Sequence, residues 1–293
     1  MAKIYLDTNM YINILKAKNR GFNDVYSKFK SAKDRFYFSN GHSEELLKLD
    51  YYDHIADYID ELTSKSSIRM DEKNLKEINE SIYDSIERCK HPMTHNTIVS
   101  IAQQKLSKEQ TWRDKLKLER PKEFSHVNQK NVDYEKIWNL PIVNDLLSVQ
   151  GNEELRVLIR SLYSSKGLQN LPEIQLVKFD DFRNGYLTRY NFGIQEIVID
   201  LLSAILSAVG YGYDKTIVTA VSGIYDTTHM IMSRYCDVII STDISFVKKT
   251  EAIFWFLGID TKVYLIPQCI IEDNLFINEQ EVLSCLDKIL TVI

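Results

Sequence analysis

The amino-acid sequence predicts an α/β protein with a short parallel sheet, interrupted by a mainly helical insertion. Short, continuous apolar segments occur near both ends of the chain, and each is followed by a polar turn and a helical pattern. Such segments are typical of strands that are buried on both faces of a parallel sheet. Residues 50–190 instead show amphipathic helical patterns and no clear pair of strands. We therefore expect a core formed by residues 1–49 and 191–293, with the insertion at 50–190 between its two parts.

Four strands are predicted, at residues 3–6, 36–38, 238–240 and 262–266. The first is followed by a helix that starts near Met10, and the second by a helix that opens at about Ser43. A further helix has Asp226 near its beginning and continues through Met232. Because the first 50 residues contain only two strands, too few to close a core, the strands after residue 210 are needed to complete the sheet.

The composition narrows the class of protein. The chain has 293 residues, of which 44% are hydrophobic and 26% are charged, a balance typical of a globular rather than a disordered protein. Its formal net charge of −5 provides no overall electrostatic attraction for nucleic acid. If the protein binds a polyanion, it must therefore use a local basic patch or a metal ion.

The sequence also predicts a cytoplasmic protein that does not contact a membrane. Asp7 lies where a signal peptide would need its apolar stretch. The longest apolar segment, residues 197–209, contains Asp200 and is too short to span a bilayer. The four cysteines are widely spaced, which favours reduced, mostly buried thiols over a disulfide framework or a zinc site. They are Cys89, Cys236, Cys269 and Cys285.

Four carboxylates occupy positions where α/β proteins usually place their chemistry. They are Asp7, Glu45, Asp226 and Asp243. Asp7 and Asp243 end predicted strands, and ligands of open α/β sheets bind beyond the carboxyl ends of the strands. Converging carboxylates repel one another unless a cation neutralises them. Oxygen ligands without histidine or cysteine favour Mg²⁺ or Mn²⁺, so the sequence predicts a site for one of these ions.

Each acid also has a purely structural interpretation. Asp7 and Asp226 are residue types that cap helices. Glu45 is predicted in the first turn of a helix, where an acid favours the helix dipole. Asp237, just before the third predicted strand, fits a structural or solvated role better than a catalytic one. His229 is more typical of a packed or hydrogen-bonded helix residue than of a catalytic one.

Five short motifs occur in order along the chain. They are Leu6-Asp7-Thr8-Asn9, Ser39 with Glu45 six residues later, Asp226-x-x-His229, Ser241-Thr242-Asp243 with Phe246 three residues later, and Gly258-Ile259-Asp260-Thr261-Lys262-Val263. Their order, spacing and strand context resemble those of the PIN-like nuclease family. The resemblance covers roughly the first 50 and the last 100 residues. It implies a PIN-like three-layer core and does not extend to the insertion.

The same resemblance implies a Mg²⁺- or Mn²⁺-dependent phosphodiesterase, with RNA favoured over DNA as the substrate. The catalytic and metal-binding residues would be Asp7, Glu45, Asp226 and Asp243. One or two ions held by these acids would activate a water molecule and neutralise charge on the phosphate. Polar neighbours would orient the carboxylates or bind a phosphate oxygen as an outer layer. These neighbours are Thr8, Asn9, Ser241 and Thr242.

Basic residues near the acids would contact the nucleic-acid backbone, although runs of charge are commonly just solvated surface. One candidate cluster follows the first helix and consists of Lys16, Lys18 and Arg20. A second precedes the second strand, at Lys28, Lys30, Lys33 and Arg35. A third lies in the insertion and includes Arg113, Lys115, Lys117, Arg120 and Lys122, with Trp112 as a residue that could stack on a base.

Two other enzyme classes are excluded by the same residues. A haloacid-dehalogenase-like phosphatase needs an acid two residues after Asp7, where this chain has Asn9. A P-loop enzyme needs a Gly-x-x-x-x-Gly-Lys segment, which the chain lacks. Two alternatives stay open: a DNA or structure-specific nuclease of the same fold, and a catalytically silent PIN-like module that binds RNA or protein. The sequence also leaves open a role as a toxin or defence effector, control by an antitoxin or regulatory protein, and assembly as a homo-oligomer.

Overall fold

The computed structural model describes residues 2–71, 74–90, 134–141, 143, 192–211, 217–266, 271–272, 275–276 and 278–292, together with residues 103, 106, 107 and 110. The chain divides into two compact units. The first unit comprises Met1–Thr94, Thr228–Val247 and Thr261–Ile293. The second unit comprises His95–Thr227 and Lys248–Asp260.

The first unit contains all of the described strands. They are β1 (Ile4–Leu6), β2 (Phe36–Ser39), β3 (Ser66–Asp71), β4 (Asn74–Asn79), β5 (Val238–Ser241), β6 (Lys262–Leu265), β7 (Ile271–Glu272) and β8 (Leu275–Phe276). Its helices are α1 (Thr8–Asn19), α2 (Asn23–Ser31), a 3₁₀ helix (Lys33–Arg35), α3 (Asn40–Leu46), α4 (Asp53–Thr63), α5 (Ile82–Cys89) and, at the end of the chain, α10 (Glu279–Val292). The helices α6 (Tyr134–Trp138) and α7 (Phe192–Ala208) belong to the second unit. Two helices cross the boundary between the units, α8 (Ile217–Ser233) and α9 (Ile244–Leu257).

Six strands form one sheet in the order β4-β3-β2-β1-β5-β6. All neighbours in this sheet are parallel except β3 and β4, which are antiparallel. The predicted α/β class is therefore confirmed, and the sheet is mostly rather than wholly parallel. From β1 the chain builds the sheet outward through β2 and β3, and it later resumes on the other side of β1 with β5 and β6. The strand order thus reverses between β1 and β5, and open α/β sheets bind their ligands at such a point.

The central strands are buried because their sequences are apolar or aromatic up to Ser39 and Ser241, which end β2 and β5. All residues of β1, β2 and β5 are buried, as predicted for strands covered on both faces. Ile4 and Leu6 contribute to one apolar core together with side chains of α1, α2 and α4. Tyr5 lies between them in the strand, so its side chain points to the opposite face of the sheet. The edge strand β6 is only partly buried, which differs from the expectation for residues 262–266.

The expectation that residues 50–190 lack paired strands is wrong. The strands β3 and β4 pair along their whole length, and β3 extends the main sheet beside β2. Residues 50–94 also belong to the first unit rather than to a separate insertion. Both strands carry many polar residues and are only partly buried, so they lack the apolar runs of the central strands. Most of the remaining residues up to 190 lie outside the described part of the chain.

Polar contacts within the second unit hold its helices together. The Trp138 indole Nε1–H donates to the carbonyl of Ala252 at 2.9 Å. The Tyr134 hydroxyl donates to the Glu251 carboxylate at 2.6 Å, and the Thr227 hydroxyl donates to Asp200 at 2.5 Å. The long helix α7 is mostly buried, and its buried polar residues include Gln195, Ser203 and Ser207.

Two further findings concern predictions about membranes and cysteines. Among the described helices, none combines the length and the apolar character that crossing a bilayer requires. Cys89, Cys236 and Cys285 are free thiols, and Cys236 is buried while the other two are half-buried. Cys269 lies outside the described residues.

Candidate active site

Asp7 lies at the carboxyl end of β1 and begins α1. One carboxylate oxygen, Oδ1, accepts a hydrogen bond from the backbone N–H of Met10 at 2.8 Å, so Asp7 caps the helix. The other oxygen, Oδ2, accepts a hydrogen bond from the Ser241 hydroxyl at the end of β5. The backbone N–H of Asp7 also donates to the carbonyl of Ile240 at 3.2 Å. The structural interpretation of Asp7 as a cap is therefore correct, and the same carboxylate also faces the neighbouring strand.

Burial makes Asp7 an unusually weak acid. The residue is only 6% exposed, and this burial raises the pKa of its carboxyl group to about 7 from an ordinary value of 3.8. The hydrogen bonds from Ser241 and Met10 and the charge of His229 oppose the rise, whereas the negative charge of Asp243 adds to it. A nearby cation would relieve this penalty and keep Asp7 ionised at neutral pH.

Asp243 follows β5, which is the strand next to β1 in the sheet. Its backbone N–H donates to the Ser241 hydroxyl at 2.9 Å, while that hydroxyl donates to Asp7. One Ser241 oxygen therefore links the two acidic residues at the point where the strand order reverses. The Asp243 carboxylate also accepts a hydrogen bond from the backbone N–H of Phe246 at 2.9 Å, which caps α9. Unlike Asp7, Asp243 is exposed.

The polar residues predicted beside these acids differ in their contacts. The Asn13 amide Nδ2, on α1, donates to the Thr242 hydroxyl at 3.4 Å. The Asn13 amide oxygen is buried and has no hydrogen-bond partner among the described residues. The buried Thr8 hydroxyl has no partner of normal geometry among them, but it lies close enough to Glu45 to lower the pKa of that carboxyl group. Such buried, unsatisfied polar atoms are costly unless they bind something. Asn9 is exposed.

Glu45 lies in the last turn of α3, not in the first turn as expected. Its carboxylate accepts a hydrogen bond from His229 Nε2 at 3.2 Å. Burial alone would raise the pKa of Glu45, but the charge and hydrogen bond of His229, with smaller contributions from Thr8 and Lys48, lower this pKa to about 2. Glu45 therefore stays ionised at all ordinary pH values. Lys48 is a cation that acts on Glu45 and was not among the predicted basic residues.

A buried polar network lies beneath Glu45. The Tyr5 hydroxyl is 2.7 Å from both His229 Nδ1 and Ser39 Oγ. Ser39 caps α3, and His42 completes a capping box by accepting a hydrogen bond from the Ser39 backbone N–H at 3.1 Å. His42 Nε2 is 2.7 Å from the carbonyl oxygen of Leu6. Burial, followed by the charge of His229, lowers the pKa of His42 to about 3, so His42 is neutral.

Only His229 and Ser39 of this network belong to the predicted motifs. Tyr5 and His42 are missed because neither has a local sequence pattern that indicates a function. Tyr5 is the one polar-tipped side chain in a short apolar strand, and His42 follows the capping residue Ser39 by three positions. These two features could have pointed to the network, because the hydroxyl of a buried tyrosine and the ring of a buried histidine need hydrogen-bond partners.

Asp226 is the tenth residue of α8 and not near the beginning of the helix, as was expected. It lies three residues before His229 on the same helix, but it falls in the stretch that belongs to the second unit. The acids that the first unit brings into electrostatic contact are Asp7 and Asp243, while His229 acts on both Asp7 and Glu45.

The chemistry of the first-unit residues suits a hard cation, although the described side chains are not arranged as a ready-made metal cluster. The carboxylates, the Thr8 hydroxyl and the Asn13 amide oxygen offer oxygen ligands, which Mg²⁺ and Mn²⁺ prefer. Among the described residues, however, no group of three or more histidine, cysteine, aspartate or glutamate side chains could hold a metal ion as placed. Asp7 and Glu45 instead have separate hydrogen-bond partners, Ser241 and His229. The four-carboxylate metal site stays a prediction.

Of the three predicted basic clusters, the first lies away from the acids and the third is not described. Lys16, Lys18 and Arg20 lie at the far end of α1, a helix of 12 residues, and are thus separated from Asp7 by up to about 18 Å. Lys18 contacts the Tyr26 ring at 4.4 Å and Glu61 at 3.9 Å, and Arg20 donates to the carbonyl of Phe276 at 3.2 Å. The contacts of Lys18 and Arg20 favour a structural role for these two residues. The candidate contacts Arg113, Lys115 and Lys117 lie outside the described residues, as do Trp112, Arg120 and Lys122.

The lysines before β2 also have acidic partners. Lys28 forms an ion pair with Asp287, and Lys30 forms one with Glu61 at 2.8 Å. Such exposed pairs contribute little to stability, about 0–1 kcal/mol each, but they reduce the positive charge available to a polyanion.

Comparison with known proteins adds no relative. No family model, no curated protein and no solved structure matches the chain.

Proposed function

We propose that this chain is a metal-dependent nuclease with a PIN-like fold that hydrolyses phosphodiester bonds, with RNA as its substrate. The observation that carries the proposal is the pair of acids at the strand-order reversal. Asp7 and Asp243 end adjacent parallel strands and are joined through one Ser241 hydroxyl. This is where open α/β sheets bind ligands, and a buried carboxylate with a pKa near 7 is a typical mark of a functional site. RNA is preferred as the substrate because of the motifs that resemble the PIN-like family.

In this proposal Asp7 and Asp243 hold a Mg²⁺ or Mn²⁺ ion, with Glu45 directly or through water. Asp226 is assigned to the same set from its motif alone. When bound, the ion lowers the pKa of a water molecule and neutralises negative charge on the reacting phosphate.

The protein's own residues orient and balance the charge. Ser241 keeps the Asp7 carboxylate in one orientation by donating to Oδ2, while the Met10 N–H holds Oδ1. The Thr8 hydroxyl can donate to a phosphate oxygen or bind a water molecule, and the Asn13 amide oxygen can accept a hydrogen bond from water. We assign Lys48, whose positive charge acts on Glu45, to the attraction of the phosphate backbone.

A cleavage assay with matched variants tests this function. Wild-type protein is incubated with labelled RNA or single-stranded DNA, with Mn²⁺ or with EDTA. We expect RNA cleavage that requires the metal and that falls more than about 100-fold in Asp7→Asn and Asp243→Asn, because even outer-layer residues of metal sites are worth about 10- to 100-fold.

The matched control is Asp237→Asn. Asp237 precedes β5 at the end opposite to Asp243 and accepts a hydrogen bond from the backbone N–H of Lys3 at 2.7 Å. The Asp237→Asn variant should retain wild-type activity. Equal activity in all three variants would refute the proposed site. RNA binding without cleavage would favour the catalytically silent module, and cleavage of DNA alone would favour the DNA nuclease.

A further inference from the structure

Four hydrogen bonds connect the start of α3 with the carboxylate of Glu45 near its end. The backbone N–H of Gly41 donates to Ser39 Oγ at 3.2 Å. Ser39 Oγ and Tyr5 Oη are 2.7 Å apart, and Tyr5 Oη and His229 Nδ1 are also 2.7 Å apart. His229 Nε2 then lies 3.2 Å from Glu45 Oε2. The chain of contacts brings together three segments that are far apart in sequence.

An ionised carboxylate only accepts hydrogen bonds, so His229 Nε2–H donates to Glu45 whether the ring is neutral or protonated. The other ring nitrogen, Nδ1, is 2.7 Å from the Tyr5 hydroxyl, which accepts from a protonated ring and donates to a neutral one. The hydroxyls of Tyr5 and Ser39 form a hydrogen bond with each other, and the Ser39 oxygen accepts from the Gly41 N–H. Both ring nitrogens of His229 therefore have hydrogen-bond partners in either protonation state.

The imidazole of His229 is also fixed by packing. The residue is 2% exposed, and its ring meets the His42 ring nearly at right angles, with the centroids 4.8 Å apart. The backbone of Gly41 is also close, because a Cβ atom added there would come within 3.1 Å of the His229 ring. The ring therefore has little freedom to turn away from Glu45.

We propose that His229, held by Tyr5 and Ser39, is a positioning residue that fixes the orientation of the Glu45 carboxylate for metal binding. This inference rests on the proposed function. The Glu45 side chain is about one fifth exposed, so without a partner it could adopt several rotamers. Metal sites commonly depend on such outer hydrogen bonds, because they orient the ligands that touch the ion.

Substitutions of single atoms and of the whole ring test the inference in the full-length protein. Tyr5→Phe removes only the hydroxyl that holds His229, and Tyr11→Phe is the matched control. Tyr11 is equally buried, but its hydroxyl donates to the carbonyl of Tyr37 and does not contact His229. His229→Leu removes both hydrogen bonds, whereas His229→Gln restores a donor and an acceptor.

The measurements are Mn²⁺ binding by calorimetry without substrate, kcat and KM for RNA, and the melting temperature in EDTA. We expect Mn²⁺ binding about 10- to 100-fold weaker in His229→Leu, about 10-fold weaker in Tyr5→Phe and unchanged in Tyr11→Phe, with partial rescue in His229→Gln. The loss in activity should appear in kcat measured at a fixed, subsaturating Mn²⁺ concentration, with KM for RNA unchanged.

Two negative outcomes are distinguishable. If the wild-type protein neither binds Mn²⁺ nor cleaves RNA, the proposed function fails and the positioning role fails with it. If the wild type does both, and Tyr5→Phe and His229→Leu bind Mn²⁺ as tightly as Tyr11→Phe, only the positioning role is refuted. A fall in melting temperature alone, with unchanged Mn²⁺ affinity, would likewise assign the network to stability and not to the site.

Discussion

The candidate site has two halves, one around Asp7 at the β1–β5 junction and one around Glu45 on α3. The pKa of the carboxyl group is shifted in opposite directions in the two halves. At the β1–β5 junction, Asp7 is buried beside Asp243, and its pKa rises to about 7. On α3, Glu45 is also largely buried, but His229 supplies a hydrogen bond and a favourable charge, and its pKa falls to about 2. Both carboxylates lose hydration, so burial alone does not explain the difference. His229 acts on Asp7 through its charge alone, whereas it also hydrogen-bonds to Glu45, and this closer contact accounts for the difference.

The contrast indicates which half depends on a cation. Glu45 is already compensated by protein groups and is ionised with or without a metal. Asp7 has only neutral hydrogen-bond donors, Ser241 and Met10, and these do not offset the cost of burying its charge. A site in which the environments of two acids push their pKa values apart is typical of catalysis. We therefore expect metal binding to depend most on Asp7, with Glu45 held ready by the protein.

The largest expected effect on stability comes from Asp7→Asn in the presence of EDTA. The pKa of Asp7 in the folded protein, about 7, lies above its ordinary value of 3.8, so between about pH 4 and 7 the folded protein binds more protons than the unfolded chain. The free energy of unfolding of the wild type therefore falls as the pH rises through this range. Asn keeps the cap to Met10 and carries no charge. At pH 8 the variant should be more stable by as much as about 4 kcal/mol, and near pH 4 the two proteins should be equal.

Urea denaturation from pH 4 to pH 8 measures this difference. Adding Mg²⁺ at pH 8 should then stabilise the wild type more than Asp7→Asn, because the ion binds the folded state and needs the Asp7 charge. If Asp7→Asn is destabilised at every pH and responds equally to Mg²⁺, Asp7 is a structural cap and the contrast with Glu45 has no functional meaning.

Glu45→Gln should change the stability of the protein in the opposite direction from Asp7→Asn. The pKa of Glu45 is lowered to about 2, so its ionised form contributes stability above about pH 4.5, and this contribution is lost as the pH falls toward 2. Gln can still accept a hydrogen bond from His229, but it has no charge. We expect the variant to be less stable by about 1–3 kcal/mol at pH 7, with the difference shrinking at acidic pH. A Glu45→Gln variant that is more stable than the wild type at pH 7 would contradict the role assigned to His229.

The central part of the fold and the Asp7 half of the site are predictable from sequence because their signals are local. The apolar residues of β1, β2 and β5 run without interruption into polar turns, and this pattern requires burial on both faces. The pair β3 and β4 escapes prediction because its residues alternate weakly and remain half-exposed. Since β4 is an edge strand with one side open to solvent, its polar residues carry little cost.

The Glu45 half of the site depends on contacts that no local pattern encodes. Tyr5 and His229 are 224 positions apart, and their hydrogen bond exists only because the strand and α8 meet in the folded protein. A histidine on a helix is equally compatible with packing, solvation or function until its partners are known. The opposite pKa values of Asp7 and Glu45 could not be predicted for the same reason, since both are acids at the end of a predicted strand or in the helix after it.

The smallest expected effect, and the sharpest test of the Glu45 half, comes from Gly41→Ala. Alanine is favoured over glycine within a helix by about 1 kcal/mol, but its Cβ would lie 3.1 Å from His229 Cε1 and Nδ1, closer than a normal contact. His229 is held by hydrogen bonds on both ring nitrogens, so the ring must shift by a few tenths of an ångström and weaken one of them. We expect these two effects to leave the free energy of unfolding within about 1 kcal/mol of the wild type, while Mn²⁺ affinity falls several-fold.

Gly21→Ala is the control: Gly21 has a φ of 87° with open space around its Cβ position, so alanine there is strained without touching His229. Gly21→Ala should lower stability and leave Mn²⁺ affinity unchanged. The reverse pattern, with Gly41→Ala losing stability but keeping full metal affinity, would mean that the exact position of His229 does not matter to the site.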